Sequence, residues 1–111
     1  MTARLASGLW VAAYLARLRL AAIPAYVTAR GQPDAGAVIV KVATLDGRAT
    51  AYQRISTLAT SGRPWDVMAQ GAEAEVDAVL ARARTRDRDL WVIEIEDRAG
   101  RTLLDEVGLA D

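Results

Sequence analysis

The chain has 111 residues, with 14 basic and 14 acidic side chains and no His, Cys or Phe. Its length predicts one domain over residues 1–111, and its zero net charge gives no overall attraction to nucleic acid or anionic lipid. Without His and Cys, zinc sites and imidazole-activated nucleophiles are excluded, so any metal site would need the oxygen ligands that Mg²⁺ or Mn²⁺ prefers.

The first predicted element is a helix over residues 8–22, with Ser7 as its N-cap and Pro24 as its stop. The uncharged run at its start, residues 5–16, is too short to span a membrane and lacks the charge order of a signal peptide. Both sides of this helix are apolar. One stripe consists of Leu9, Ala13, Ala16 and Leu20. A helix that is apolar all round is covered on two sides, so we predict self-association through Trp10, Val11, Tyr14, Leu15 and Leu18.

A short strand is predicted next, followed by a turn and a hairpin. Residues 25–30 form a short strand, residues 31–36 a turn, and residues 37–45 a strand rich in Val and Ile. Asp46-Gly47 predicts a two-residue type I′ loop that places Leu45 opposite Arg48. In that register Val40 and Val42 share an apolar inner face. The predicted outer face carries Lys41, Tyr52 and Arg54.

The second half of the chain is also predicted to contain strands, turns and one helix. We predict a turn at residues 61–64, a strand over 65–70, a helix over 73–86, a strand over 90–96, an optional edge strand over 101–104 and a tail over 105–111. In this helix the acids Glu73, Glu75 and Asp77 near the start and the arginines near the end match the helix dipole. Its apolar stripe consists of Ala72, Val76, Val79, Leu80 and Ala83. The order α-β-β-β-β-α-β(β) indicates an α+β fold. Its antiparallel-rich sheet has four to six strands, with two helices packed against it.

The loop of residues 30–36 is a candidate anion-binding site, since Arg30 and free loop N–H groups would hold a small anion. The alternative is a tight β-turn in which Asp34 accepts local hydrogen bonds. Lys41 completes this set of ligand-binding candidates. The pattern of Asp34 followed by Lys41 resembles nuclease sites, but Ile39 stands where the second acidic ligand is required, which argues against that chemistry.

Glu94, Glu96 and Asp97 form the densest acidic group near a strand end and are the candidate metal ligands. The alternative is a solvated strand face that pairs with arginines. Four arginines between residues 82 and 88 alternate with acidic residues and lack interleaved aromatic side chains, so we expect no nucleic-acid binding. No zinc, haem or nucleotide-binding motif is present.

Three stretches resemble a family of short, uncharacterised alphaproteobacterial proteins that form a domain of unknown function. They are residues 7–11 (SGLWV), residues 30–38 (RGQPDAGAV) and residues 89–98 (DLWVIEIEDR). The resemblance implies a cytoplasmic protein and brings no activity or catalytic residue. In that family an acidic residue commonly occupies the position of Gln32, so its replacement here weakens a metal-binding role for this loop.

Two functional hypotheses follow. The first is a non-enzymatic, cytoplasmic interaction module that forms homo-oligomers through its N-terminal helix. The second is a small metal- or anion-dependent enzyme or ligand-binding protein that uses the loop of residues 30–36 and the acidic group at residues 94–97. The first is preferred, with no cofactor expected and Mg²⁺ or Mn²⁺ left open for the second.

Overall fold

The structure is a computed structural model that describes residues 5–55 and 64–110. Two helices and five strands are formed there: α1 (Ser7–Leu20), β1 (Ala25–Ala29), β2 (Val38–Ala43), β3 (Arg48–Arg54), β4 (Trp65–Ala72), α2 (Glu73–Arg86) and β5 (Trp91–Glu96). The predicted turn at residues 61–64 lies almost wholly outside the described residues. The predicted α+β class and the bounds of the second helix are confirmed.

The strands form one mixed sheet in the order β1-β5-β2-β3-β4. Three of the strand pairs are antiparallel, and β2 pairs with β5 in parallel. The optional strand over residues 101–104 does not join this sheet. Instead, the Asp97 carboxylate accepts a hydrogen bond from the Arg101 N–H at 2.7 Å, and Leu103 takes a positive φ of 61°. These features turn the segment away from β5, so that Leu104 enters the core.

The helices lie on opposite faces of the sheet, so the central strands are buried on both sides. On the α1 face, Tyr14 and Leu18 pack against Val40, Val42 and Ile93. On the α2 face, the apolar residues are Ile39, Ala49, Ala51, Val76, Leu80, Ala83, Leu90 and Val92. Burial on both faces explains why the sequence of β2 is a nearly continuous run of apolar residues.

The predicted hairpin register is wrong by one residue. β2 and β3 are joined by a three-residue loop, and Val42 pairs with Thr50 instead of Ala51. Leu45 and Gly47 have positive φ angles of 63° and 85°. The Asp46 carboxylate accepts hydrogen bonds from the Thr44 hydroxyl at 2.6 Å and the Arg48 N–H at 3.1 Å. Asp46 therefore acts as a local cap inside a longer loop, where the prediction had made it the first residue of a two-residue turn.

This shift reverses the predicted faces of β3. Tyr52 and Arg54 lie on the α1 face with the valines, and Lys41 lies on the other face, beneath α2. A one-residue slip moves every side chain of a strand to the opposite face, so the error follows directly from the loop length. The predicted outer position of Tyr52 and Arg54 is therefore corrected. Lys41 lies on the face opposite the valines, as predicted, but α2 covers that face, so Lys41 is buried and not exposed.

The ends of α1 are fixed by backbone contacts. Ala6 is the N-cap and provides no side-chain cap, while the Ser7 hydroxyl donates to the Gly36 carbonyl at 2.5 Å, so the predicted Ser7 cap is wrong. At the other end the Ile23 N–H donates to the Leu18 carbonyl at 2.9 Å, with Ala22 at a φ of 58°. This is the hydrogen-bond pattern of a Schellman motif, which ends the helix before Pro24.

Candidate functional site

Lys41 is the centre of the most highly charged cluster in the described part of the chain. Its ammonium lies 2.7 Å from a carboxylate oxygen of Glu73, 2.7 Å from one of Asp77 and 3.1 Å from one of Glu94. The Lys41 residue is only 2% exposed, whereas the three carboxylates reach solvent. The aliphatic part of the Lys41 side chain therefore crosses the apolar layer between the sheet and α2. Its ammonium group lies among the three carboxylates, which are accessible to solvent.

The pKa of Lys41 reflects two opposing effects. Burial of the ammonium lowers the pKa, but the hydrogen bonds that it donates to Asp77, Glu73 and Glu94 outweigh burial and raise the pKa above the ordinary value of 10.5. The amine is therefore held in its charged form near neutral pH. A lysine that serves as a nucleophile or general base needs a lowered pKa, so this arrangement opposes those roles.

Each acid reaches Lys41 from a different part of the fold. Glu94 lies beside Lys41 because β5 pairs with β2 in parallel register. Glu73 and Asp77 are four residues apart at the start of α2, which places them on one helix face. The prediction from the sequence explained these two acids by the helix dipole alone. The signal that it missed is the combination of an i,i+4 acidic pair with a lone lysine in an apolar strand.

A shallow, solvent-open cavity of about 370 Å³ lies between α2 and the β1 side of the sheet. Its lining combines the Lys41 cluster with polar and apolar side chains. These further lining residues are Thr28, Ala29, Leu80, Ala81, Arg84 and Val92. Two N–H groups of the Arg84 guanidinium donate to the carbonyls of Arg30 and Arg88, so Arg84 ties α2 to the neighbouring loops.

Four backbone N–H groups of the loop of residues 30–36, those of Gln32, Asp34, Ala35 and Gly36, already donate hydrogen bonds within the protein. The Gln32 side-chain oxygen accepts hydrogen bonds from the backbone N–H groups of Asp34, at 2.9 Å, and Ala35, at 2.6 Å. The Arg30 guanidinium lies over the Trp91 ring, 5.5 Å from its centroid. The loop is thus the tight, internally bonded turn of the alternative interpretation. Its backbone also holds α1, since the Gly8 N–H donates to the Pro33 carbonyl at 2.8 Å.

The predicted acidic group does not converge on one site. Glu94 faces Lys41, the Glu96 carboxylate hydrogen-bonds the Tyr26 hydroxyl and raises the pKa of that phenol, and Asp97 binds the Arg101 guanidinium. The Arg101 guanidinium also lowers the pKa of Asp97. Within residues 5–55 and 64–110, no group of three His, Cys, Asp or Glu side chains is placed to hold a metal ion. The three predicted ligands therefore have separate partners.

The predicted interface residues of α1 belong to the core of the same chain. Trp10, Val11, Tyr14 and Leu18 are buried against the sheet, and Leu15 packs partly against the same cluster. The Trp10 and Tyr14 rings stack with their centroids 4.8 Å apart. This prediction is corrected because the inner side of α1 covers the sheet and is unavailable to a partner.

The outer side of α1 is instead the exposed apolar surface. Leu5, Leu9 and Leu20 are 52%, 58% and 87% exposed, and the alanines between Leu9 and Leu20 on this side also face solvent. We call the four residues Leu9, Ala13, Ala16 and Leu20 the outer stripe. Neither described helix is long and apolar enough to cross a membrane.

Known proteins share the sequence pattern and the fold of this chain. The sequence profile described as "protein of unknown function (DUF1491)" matches residues 5–105. The chain belongs to this family. The resemblance found in the sequence is thereby confirmed.

Solved structures of DUF1491 relatives have the same fold. A crystal structure of a DUF1491 family protein from Caulobacter crescentus CB15 is 38% identical, with a TM-score of 0.79 over 92% of this chain and 94% of that one. An NMR structure of a DUF1491 protein from the same organism is 36% identical, with a TM-score of 0.81 over 95% and 96% of the two chains. The solution structure of protein Atu0922 from A. tumefaciens is 31% identical, with a TM-score of 0.72 over 97% and 92%. No curated protein matches the chain.

Gln32 has a structural role in the loop of residues 30–36. The sequence resemblance implies that an acidic side chain commonly occupies this position. A carboxylate would accept the same two backbone hydrogen bonds that the Gln32 oxygen accepts from Asp34 and Ala35. Gln32 therefore closes the loop through its side-chain oxygen, without a negative charge.

Proposed function

We propose that this DUF1491 protein is a non-catalytic interaction module that self-associates through the outer side of α1. The observation that carries the proposal is the exposure of Leu9 and Leu20, at 58% and 87%, on one helix face. Contiguous exposed apolar surface on a small protein is typical of an interaction site. The surface differs from the one that the sequence predicted, while the helix and the kind of partner are the same.

The charged groups support a non-catalytic role. The pKa of Lys41 is raised, Asp97 is paired with Arg101, and the N–H groups at Asp34 and Ala35 are used within their own loop. The side chains considered for catalysis or ligand binding thus have structural partners. The cytoplasmic location implied by the family resemblance remains a prediction of this proposal.

Analytical ultracentrifugation at micromolar concentration tests the proposal. We expect the native chain to sediment at twice its 11.9 kDa mass. The variants Leu9→Glu and Leu20→Glu place a charge in the interface without disturbing the core, and we expect each to sediment as a monomer. Leu45→Glu is the matched control, because Leu45 is also exposed but lies in the β2–β3 loop. A monomeric native chain, or dimers that persist in both helix variants, would refute self-association through this face.

A further inference from the structure

The outer stripe has the same residue order and spacing in both directions along α1. Its residues are separated by four, three and four positions, and their order is Leu, Ala, Ala, Leu. This is the spacing of the a and d positions that form the seam of a coiled coil. When the helix is reversed, Leu9 takes the place of Leu20 and Ala13 that of Ala16. The stripe is therefore complementary to an antiparallel copy of itself.

From this symmetry we infer that α1 pairs antiparallel with α1 of a second copy about a two-fold axis, an inference that rests on the proposed function. Leu9 of each copy then packs against Leu20 of the other, and Ala13 packs against Ala16. A closed two-fold interface uses the same surface patch on both subunits, as this arrangement does. The alanines at its centre let the two helices approach at the short end of the usual range of about 8–10 Å.

The charges at the ends of α1 complement this arrangement. Asp34 lies at the N-terminal end, where its carbonyl accepts the Ser7 N–H at 3.2 Å, and Arg19 is exposed near the C-terminal end. In the described part of the chain neither side chain forms an ion pair. Antiparallel pairing brings opposite helix ends together, so Asp34 of one copy approaches Arg19 of the other at both ends of the seam.

Helix periodicity places these two charges on the same flank. At 3.6 residues per turn, Gly8 and Arg19 project to one side of the outer stripe, and the loop carrying Asp34 lies against Gly8 through a Pro33 contact. In an antiparallel pair, equivalent flanks of the two helices face each other. A parallel pair would instead place both Asp34 loops at one end and both Arg19 side chains at the other, on opposite flanks, and would align the helix dipoles, which opposes that alternative.

Cysteine cross-linking tests the direction and the register. The chain has no Cys, so Ala13→Cys and Ala16→Cys introduce the only thiols. We expect mild oxidation of an equal mixture, with one variant tagged, to give mainly the mixed disulfide. The antiparallel register offsets two copies of residue 13 by three residues, about 4.5 Å along the axis, which places them beyond the range in which a disulfide forms readily. Mainly unmixed disulfides, or none, would overturn the register.

A charge exchange provides an independent test. Arg19→Asp and Asp34→Arg should each raise the dimer dissociation constant about fivefold, since the symmetry repeats each surface contact twice. The double variant should restore the native constant. If each single variant weakens the dimer and the double variant does not recover, the pairing of Asp34 with Arg19 is wrong.

Sedimentation of the native chain separates these outcomes from failure of the proposed function. A native monomer would refute both the proposed function and this inference. A native dimer without the mixed disulfide would refute only the antiparallel register.

Discussion

Lys41 and Glu94 lie side by side on the parallel strands β2 and β5, with the ammonium 3.1 Å from the carboxylate. The contact joins two residues that are 53 positions apart in the chain. Glu73 and Asp77 complete the cluster from α2, so Lys41 links the helix to the centre of the sheet. The cluster thus fixes the position of α2 by directional contacts in addition to apolar packing.

The first prediction concerns the charge of Lys41. Lys41→Met keeps an apolar stem of similar length but leaves three carboxylates close together without a counter-charge. We expect the free energy of unfolding to fall by about 2 kcal/mol, less than for a fully buried unpaired charge because the acids reach water. Glu94→Gln is the matched comparison, since Lys41 then retains two carboxylates, and should cost about 1 kcal/mol. Equal stability of Lys41→Met and the native chain in urea would contradict this account.

The second prediction is the pH dependence of the difference in unfolding free energy between the native chain and Lys41→Met. The folded-state pKa of Lys41 is raised above 10.5, so its contribution to stability is complete below pH 10.5 and is lost as pH rises through the folded-state value. The gap between the native chain and Lys41→Met should therefore narrow above pH 10.5. Burial also raises the pKa of Tyr14, but both proteins contain this residue. Urea unfolding of both proteins over the alkaline range measures the gap, and a constant gap would exclude this role of Lys41.

The third prediction separates the two sides of α1. Leu18 is fully buried against the sheet and Leu20 is 87% exposed. Leu18→Ala should destabilise the fold by about 2–5 kcal/mol, whereas Leu20→Ser should change the stability of the monomer by less than about 0.5 kcal/mol. Thermal unfolding at a concentration below the dimer dissociation constant gives both values. A large loss for Leu20→Ser would show that the outer stripe is needed within one chain.

The fourth prediction concerns close backbone contact at Gly31. A Cβ at this position would lie 2.3 Å from the Asp89 carbonyl oxygen and 2.8 Å from the Leu90 carbonyl carbon. Because backbone cannot move aside without loss of pairing, Gly31→Ala should cost about 3 kcal/mol. Gly8→Ala is the control, since its Cβ meets ordinary contacts at 3.5 Å and alanine favours the helix. The denaturant midpoint should therefore fall for Gly31→Ala and rise for Gly8→Ala.

The fifth prediction tests the acceptor role of Gln32. Gln32→Glu keeps an oxygen for the N–H groups of Asp34 and Ala35 but loses the Nε2 donor to the exposed Asp34 carboxylate, 3.3 Å away, and should cost less than about 1 kcal/mol. Gln32→Leu leaves both groups without that acceptor and should cost about 1–2 kcal/mol. Hydrogen exchange at the two amides measures the effect locally. Unchanged protection in Gln32→Leu would show that the loop is held by its other contacts.

Much of the fold was predictable because its causes are local. The helix at Glu73–Arg86 was predicted at its observed bounds from a dipole-matched charge pattern and an apolar stripe. The strands formed by Val38–Ala43 and Trp91–Glu96 were evident from their composition. The hairpin register was not, because an Asp-Gly pair suits both a two-residue loop and the last two positions of a three-residue loop. Because both faces of the sheet are buried, the apolar pattern of β2 does not distinguish between the two loops.

The candidate site was less predictable. The sequence indicated Lys41 and Glu94 as separate candidates, but their contact depends on β5 crossing the sheet to lie beside β2. The interface prediction named the side of α1 that the sheet covers, because both sides of α1 are apolar in sequence.

The sequence alone determined the elements that arise from neighbouring residues: an apolar helix, an amphipathic helix and strands separated by turns. Only the tertiary structure decided which side of α1 is buried, which strands are adjacent and which acids surround Lys41. The physical reason is that hydrophobic burial has no direction of its own, so two apolar helix faces are equivalent until a sheet covers one of them. In this chain the sheet covers Tyr14 and Leu18, and Leu9 and Leu20 remain exposed.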